Sequence, residues 1–264
     1  ERPRGREECA TSVDRSGDPG RLLEPALFDR LSSGGRRLAR ALNGLPGPAR
    51  VEAAPPARHV GPLAAPEARR NVRVNDPSMD LYGHTNSESS VTATADTIVV
   101  GFNDAGEDLS GYAFSTDGGA SFTHVRLPPP SDGYFYGDPV LATGPAGEVY
   151  YASLMSVAGN FLSTIGVSKS TDGGRTFAYP VDAVNLYTTS DEVMDKPWLA
   201  ADTGASSKYR GNVYVTWTFF LSTGETFVVY DALDRFHGSP GDRGLAAWWA
   251  DSGRWEVVVL CDTC

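Results

Sequence analysis

The sequence predicts an all-β fold built from repeated four-stranded antiparallel units, preceded by a disordered N-terminal region. Three observations carry this. From Asn71 onward, short runs rich in Val, Ile, Thr, Tyr, Phe and Trp ("TIVVGF", "EVYYASL", "TIGVSKS", "NVYVTWTFF") alternate with clusters of Gly, Asp and Pro, the pattern of half-buried strands punctuated by turns. The phrase "STDGGASF" at Ser115–Phe122 returns 55 residues later as "STDGGRTF" at Ser170–Phe177. Finally, "DPSM", "GDPVL" and "DKPWL" place Asp76, Asp138 and Asp195 at intervals of 62 and 57 residues, each ahead of further β runs. A unit of strand, strand, strand, Asp-Gly turn, strand every 55–60 residues is the grammar of a β-propeller blade.

Residues 1–70 read as a separate region. They hold 13 Arg, no Lys and nine acidic residues. The Pro-, Ala- and Arg-rich stretch "GLPGPARVEAAPPARHVGPLAAPEARR" has no hydrophobic period and reads as largely disordered linker. Before it, Glu24 to Leu42 has the spacing of a short amphipathic helix, interrupted at Gly34-Gly35 and otherwise part of a solvated tail. Residues 71–235 carry the repeats as units 71–130, 131–190 and a partial 191–235. The third unit keeps an Asp at Asp234 but loses the glycines, so the repeats amount to about two and a half blades. Residues 236–264 show no further period and read as an atypical tail. An open edge is an aggregation liability, which leaves a gene fragment, a reading-frame error near 222–235, or assembly of several chains into a ring. The first residue is Glu1, with no charged-then-apolar leader, as in a processed chain or a fragment.

The S-T-D-G-G phrase has a structural use at every position. Gly118, Gly119, Gly173 and Gly174 suit positive φ, and Asp117 and Asp172 can bond their own turns. Ser115 and Ser170 can cap turn amides, and Phe122 and Phe177 can cover the turn with apolar surface. No base, nucleophile or metal partner accompanies them, so they are scaffold residues.

The pattern S-T-D-G-G-x-[ST]-F resembles the Asp box, or BNR repeat, of the sialidase superfamily, and the resemblance covers about residues 71–235. It implies a six- or seven-bladed propeller with the boxes on outer turns, away from any catalytic face. It implies glycan hydrolysis of exo-α-sialidase type, or glycan binding, outside the cytoplasm (extracellular or periplasmic). True sialidases would add three arginines for the substrate carboxylate, a Tyr-Glu nucleophile pair and an Asp acid/base. Their F/Y-R-I-P motif is absent here; "NVRVNDP" makes Arg73 the nearest candidate. A non-catalytic secreted propeller for adhesion or scaffolding, or a non-functional incomplete chain, is the competing expectation.

The candidate catalytic carboxylates are Asp76, Asp138 and Asp195. If each opens an innermost strand, they meet around one end of the channel, where they could bind a cation, polyol or glycan or raise one another's pKa; the alternative is that each caps its own strand. Trp198 is either a sugar platform or, by its innermost position, core. Residues 71–264 hold 10 basic against 24 acidic residues, which argues against nucleic acid and anionic membranes. No apolar run reaches transmembrane length. Cys9, Cys261, Cys264 and the scattered His59, His84, His124 and His237 form no metal or redox motif, and no cofactor motif is present.

Overall fold

The computed structural model describes residues 23–45, 71–80, 86–104, 109–157, 162–183, 192–222, 226–233, 244–251 and 254–261. Three antiparallel meanders follow one another. The first is β1 (Ser87–Ala93), β2 (Ile98–Asn103), β3 (Ser110–Ser115) and β4 (Thr123–Arg126). The second is β5 (Phe135–Thr143), β6 (Val149–Val157), β7 (Leu162–Ser170) and the two-residue β8 (Val181–Asp182). The third is β9 (Glu192–Ala201), β10 (Val213–Leu221), β11 (Thr226–Leu233), β12 (Gly244–Asp251) and β13 (Arg254–Cys261). Their leading strands neighbour one another, β1 beside β5 and β5 beside β9. These are propeller blades of antiparallel strands, as the repeat period predicts.

The stretch after 235 does not stand apart. Residues 244–251 and 254–261 pair as a hairpin and join β11, giving the third sheet five strands. Cys261 ends β13. Asp234, Cys9, Cys264, His59, His84 and His237 lie outside the described residues, as do residues 1–22 and 46–70.

Burial follows each blade's place. In the middle blade, β5 and β6 are buried at eight of nine positions, because both faces of that sheet are covered. β1 and β10 instead alternate, with one face covered. Two cores result. One lies between the first and second blades: Val99, Tyr112, Leu141, Tyr151, Met155 and Phe177. The other lies between the second and third: Val140, Tyr150, Leu154, Val193, Leu199, Val213, Val215 and Trp217.

The two S-T-D-G-G turns are near copies. Ser115 Oγ donates to Asp117 Oδ1 (2.7 Å) and accepts from Gly119 N (2.8 Å); Ser170 does the same with Asp172 and Gly174 at 2.7 and 2.8 Å. Each Asp accepts from the amide and hydroxyl of the residue four positions on, Ser121 or Thr176. Bonds from Ser121 and Ser115 hold the Asp117 carboxyl well below the usual range. At Asp172 burial works the other way, but the bonds from Thr176 and Ser170 prevail and bring it to about 2. All four glycines have positive φ, from 72° to 88°. The turns follow β3 and β7, so by strand alternation they lie at the opposite end of the blades from the starts of β1 and β5.

The second turn also joins two blades. Thr97 Oγ1 donates to Gly173 O, and Tyr112 OH donates to Arg175 O at 3.0 Å. The Phe177 ring meets Tyr112 edge-on at 4.8 Å and Tyr151 at 5.8 Å. Phe122, by contrast, is only partly buried.

The helical part of 24–42 corrects the reading of those residues as solvated tail. A four-residue α1 (Pro25–Phe28) leads to α2 (Ser33–Leu42), which packs on β5, β9, β6 and β7. Gly34-Gly35 does not interrupt α2; it forms the first turn, capped by Ser32, whose Oγ accepts from Gly35 N at 2.8 Å. The break falls earlier, between Phe28 and Ser33. At the other end Gly44 takes φ 65°, Gly44 N bonds Ala41 O and Leu45 N bonds Arg40 O, closing α2 with a Schellman motif. Leu27, Leu31, Leu38 and Ala39 are buried in the core between the second and third blades, so tertiary burial overrides the low helix propensity of Gly34-Gly35.

A comparison of equivalent glycines isolates the junction. A Cβ on Gly174 would overlap the Val99 side chain, while at Gly119 the nearest atom, Ile98 Cδ1, is 3.5 Å away. With φ of 85° and 88°, both Ala variants carry the same backbone strain. Gly174→Ala is expected to be less stable than Gly119→Ala by about 1–3 kcal/mol, the usual cost of overpacking; parallel urea melts measure the difference.

Candidate functional site: charged residues at the head of the inner strands

The same bulge occurs in the first strand of every blade. Ser87 to Ser90 opposes Asn103 to Gly101; Gly137 to Val140 opposes Leu154 to Ala152; Asp195 to Trp198 opposes Thr218 to Thr216. Each time, the first strand carries one extra residue. The second bulge residue has positive φ in all three: Glu88 at 50°, Asp138 at 52° and Lys196 at 55°. A side chain in that region costs roughly 1–2 kcal/mol, so the same strain is accepted at three places. The result is one charged side chain per blade at matching positions around one end of the inner strands.

This arrangement corrects the Asp-Pro alignment. Pro139 and Pro197 occupy the same bulge position, which sets Lys196 under Asp138 and leaves Asp195 one position ahead. In the first blade the match is Glu88, followed by Ser89 rather than Pro. Asp76 does not open an inner strand. It caps the 3-10 turn Pro77–Met79, accepting from Ser78 N at 2.9 Å, and its own amide donates to His124 Nδ1 on β4; bonds from Ser78 lower its pKa. Arg73, in the same segment, is exposed.

Asp138 and Asp195 do converge, and Glu88 joins them. Asn103, fully buried at the end of β2, ties the first two blades together: its Nδ2 donates to Glu88 Oε2 at 2.5 Å and its Oδ1 accepts from Asp138 N at 2.7 Å. Gly137 is a required glycine, because a Cβ there would overlap the Asn103 amide. Lys196 Nζ stands 3.7 Å from Asp138 Oδ2, while buried Asp138 Oδ1 accepts no hydrogen bond from a donor among the described residues.

The two carboxyls of the first pair are driven apart. Burial raises Asp138 to about 9, helped by its bond to Glu88 and the nearby Asp195 charge. At Glu88 burial is outweighed by bonds from Asp138, Asn103 and Ser33, which bring it to about 2. At neutral pH Asp138 therefore holds a proton beside an ionised Glu88. Such a pair supplies an acid and a base in one place.

Asp195 is placed differently. It is fully buried, and both oxygens are engaged: Ser32 N donates to Oδ2 at 2.7 Å, while Ser32 Oγ (2.5 Å) and Lys196 N (2.9 Å) donate to Oδ1. Ser33 N reaches Glu88 Oε1 at 3.3 Å, and Ser33 Oγ accepts from Asn103 Nδ2 at 3.2 Å. The first turn of α2 thus sits on the cluster. Trp198 is not core. It is 68% exposed, because alternation along β9 turns Leu199 toward the second blade and Trp198 the other way. Among the described residues no group of three His, Cys, Asp or Glu is arranged for a metal ion, and no helix is long and apolar enough to cross a membrane.

Sequence reasoning missed Glu88, Asn103 and Lys196. Only the Pro139/Pro197 match could have found Lys196; "NSESS" holds no such signal for Glu88.

No family model and no curated protein matches the chain. Solved structures do. The Hadza microbial sialidase Hz136 is 13% identical with a TM-score of 0.46, over 67% of this chain and 44% of that one. An ulvan lyase of polysaccharide lyase family 25 is 11% identical with a TM-score of 0.42, over 70% and 61%. The α-L-arabinofuranosidase arb93a of Fusarium graminearum is 11% identical with a TM-score of 0.42, over 66% and 61%. The chain thus spans about half the length of the structures it matches.

The split carboxyl pair has a pH signature. Asp138 has a higher pKa folded than unfolded, so the folded state binds the extra proton and stability declines as pH rises from about 4 to about 9. Glu88 is the reverse: its contribution is present above its unfolded value of 4.5 and is lost as pH falls toward 2. Asp138→Asn should remove its share of the alkaline decline. The melting temperature of the variant should fall less between pH 6 and pH 9 than that of the wild type, by at least about 2–4 °C, the shift about 1 kcal/mol produces in a chain of this size.

Proposed function

We propose that this chain belongs to a sialidase-like β-propeller that hydrolyses or binds glycans outside the cytoplasm, with its ligand end where β1, β5 and β9 begin. The observation that carries the reading is the threefold bulge, which gathers Glu88, Asp138 and Lys196 from three blades at one end. Asp138 is the general acid, holding its proton through neutral pH. Glu88 is the ionised carboxylate beside it, Lys196 is the cation facing the pair, and exposed Trp198 is a surface for stacking a sugar ring. The S-T-D-G-G turns, read as Asp boxes, are scaffold at the far end of the blades. Arg73 as a carboxylate-binding arginine has no support from its exposed position on the 71–80 segment.

A second reading is a non-catalytic secreted propeller for adhesion or scaffolding. Asp195 favours it, because Ser32 and Lys196 N already occupy both carboxylate oxygens.

The two separate by assay on the full-length protein with fluorogenic sialosides and neutral aryl glycosides between pH 5 and 8, alongside glycan-array binding. The hydrolytic reading expects turnover that falls about 10²–10⁴-fold in Asp138→Asn, the usual share of an acid/base group. Glycan binding without turnover selects the second reading. Absence of both, in the wild type and in a variant whose α2 first turn is loosened from the carboxyls (Gly35→Val), contradicts the glycan assignment.

A further inference from the structure

With α2 seated, Asp195 is fully buried and Asp138 is 8% exposed, so neither carboxyl can meet an incoming ligand. The contacts that close them are specific. Ser32 presents its amide and hydroxyl to Asp195, and Ser33 presents its amide to Glu88 and its hydroxyl oxygen to Asn103. Two adjacent hydroxyl-bearing residues thus fill the hydrogen-bonding positions at the head of the inner strands, as neighbouring hydroxyls of a sugar would. The helix is shaped for that approach. A Cβ on Gly34 would overlap Tyr136 O and lie 2.9 Å from Asp138 Oδ1; one on Gly35 would lie 2.5–2.9 Å from the Asp195 carboxylate. Only a glycine pair lets the first turn come so close. Leu38 and Ala39, one turn on, are fully buried and anchor the body of the helix, while Ser32 and Ser33 at its head meet the cluster through polar contacts.

We propose that α2 is an internal plug, its Ser32-Ser33 turn taking the place of a polyhydroxyl ligand on the Glu88, Asp138 and Asp195 cluster, so that the site opens only when this turn leaves. The proposal rests on the reading that this end of the blades is the ligand end, but its test does not need a glycan. In full-length Gly35→Val, amide exchange at 33–42 is compared with wild type by mass spectrometry, together with carbodiimide-driven coupling of an amine to Asp138 and Asp195. Protection of the β6 amides reports that the blades stay folded. The expected result is exchange at 33–42 faster by at least about tenfold and coupling at Asp138 and Asp195 raised at least about fivefold, with β6 unchanged. Released helix amides without increased coupling overturn the plug, because something else covers the carboxyls. Unchanged exchange at 33–42 overturns the glycine-dependent seat. Should Gly35→Val lose β6 protection, Ser32→Ala decides: it removes the hydroxyl bond to Asp195 and the cap, and wild-type exchange and coupling in that variant contradict the proposal. A failed glycan assay with successful unplugging would count against the ligand reading alone.

Discussion

The extra residue in each leading strand is the constraint on which the rest depends. A bulge at the same register in β1, β5 and β9 turns one residue per blade to positive φ and aims its side chain at a common end. Bulges bend a strand and re-aim side chains, which is why they gather near functional sites. Here they bring Glu88, Asp138 and Lys196 together although 50 and 58 residues separate them in sequence. Close packing of like charges then follows, and one carboxyl must hold a proton.

The strain is held in place from both ends of the blades. At the near end Asn103 bonds Glu88 and Asp138 at once, which fixes the first blade to the second where the charges meet. At the far end the Ser170–Phe177 turn binds Thr97 and Tyr112 of the first blade and inserts Phe177 between the two sheets. The charged cluster of the near end and the turns of the far end are therefore parts of one mechanical unit. Phe122 lacks the burial of Phe177 because the turn of the first blade has no earlier sheet among the described residues to dock against.

Much of this was legible in sequence. Asp-Gly turns and β-rich runs at a 55–60-residue period identify the blades, and turn chemistry is local enough to be read from Ser115, Asp117 and their copies. The site was only half legible. Asp138-Pro139 and Pro197 mark two bulges, but the first blade's bulge has no proline, and Asp76-Pro77 imitates it while capping a 3-10 turn. A one-residue offset in the third blade exchanged Asp195 for Lys196, since a bulge shifts every later residue by one. Gly34-Gly35 reads as a helix breaker by propensity; its meaning is contact distance to Tyr136, Asp138 and Asp195, which no local pattern encodes. Trp198 misleads for a related reason: innermost strands bury aromatics only when a sheet covers that face.

The bulges of β1 and β5 force Glu88 and Asp138 into a pair that holds one proton between them, the arrangement on which the rest depends. It is tested most directly by following the side-chain carboxyl ¹³C shifts of Asp138 and Glu88 by NMR across pH 3 to 10. Glu88 is expected to be already ionised at pH 4 while Asp138 keeps its proton past pH 7. Two independent titrations near pH 4 would contradict it.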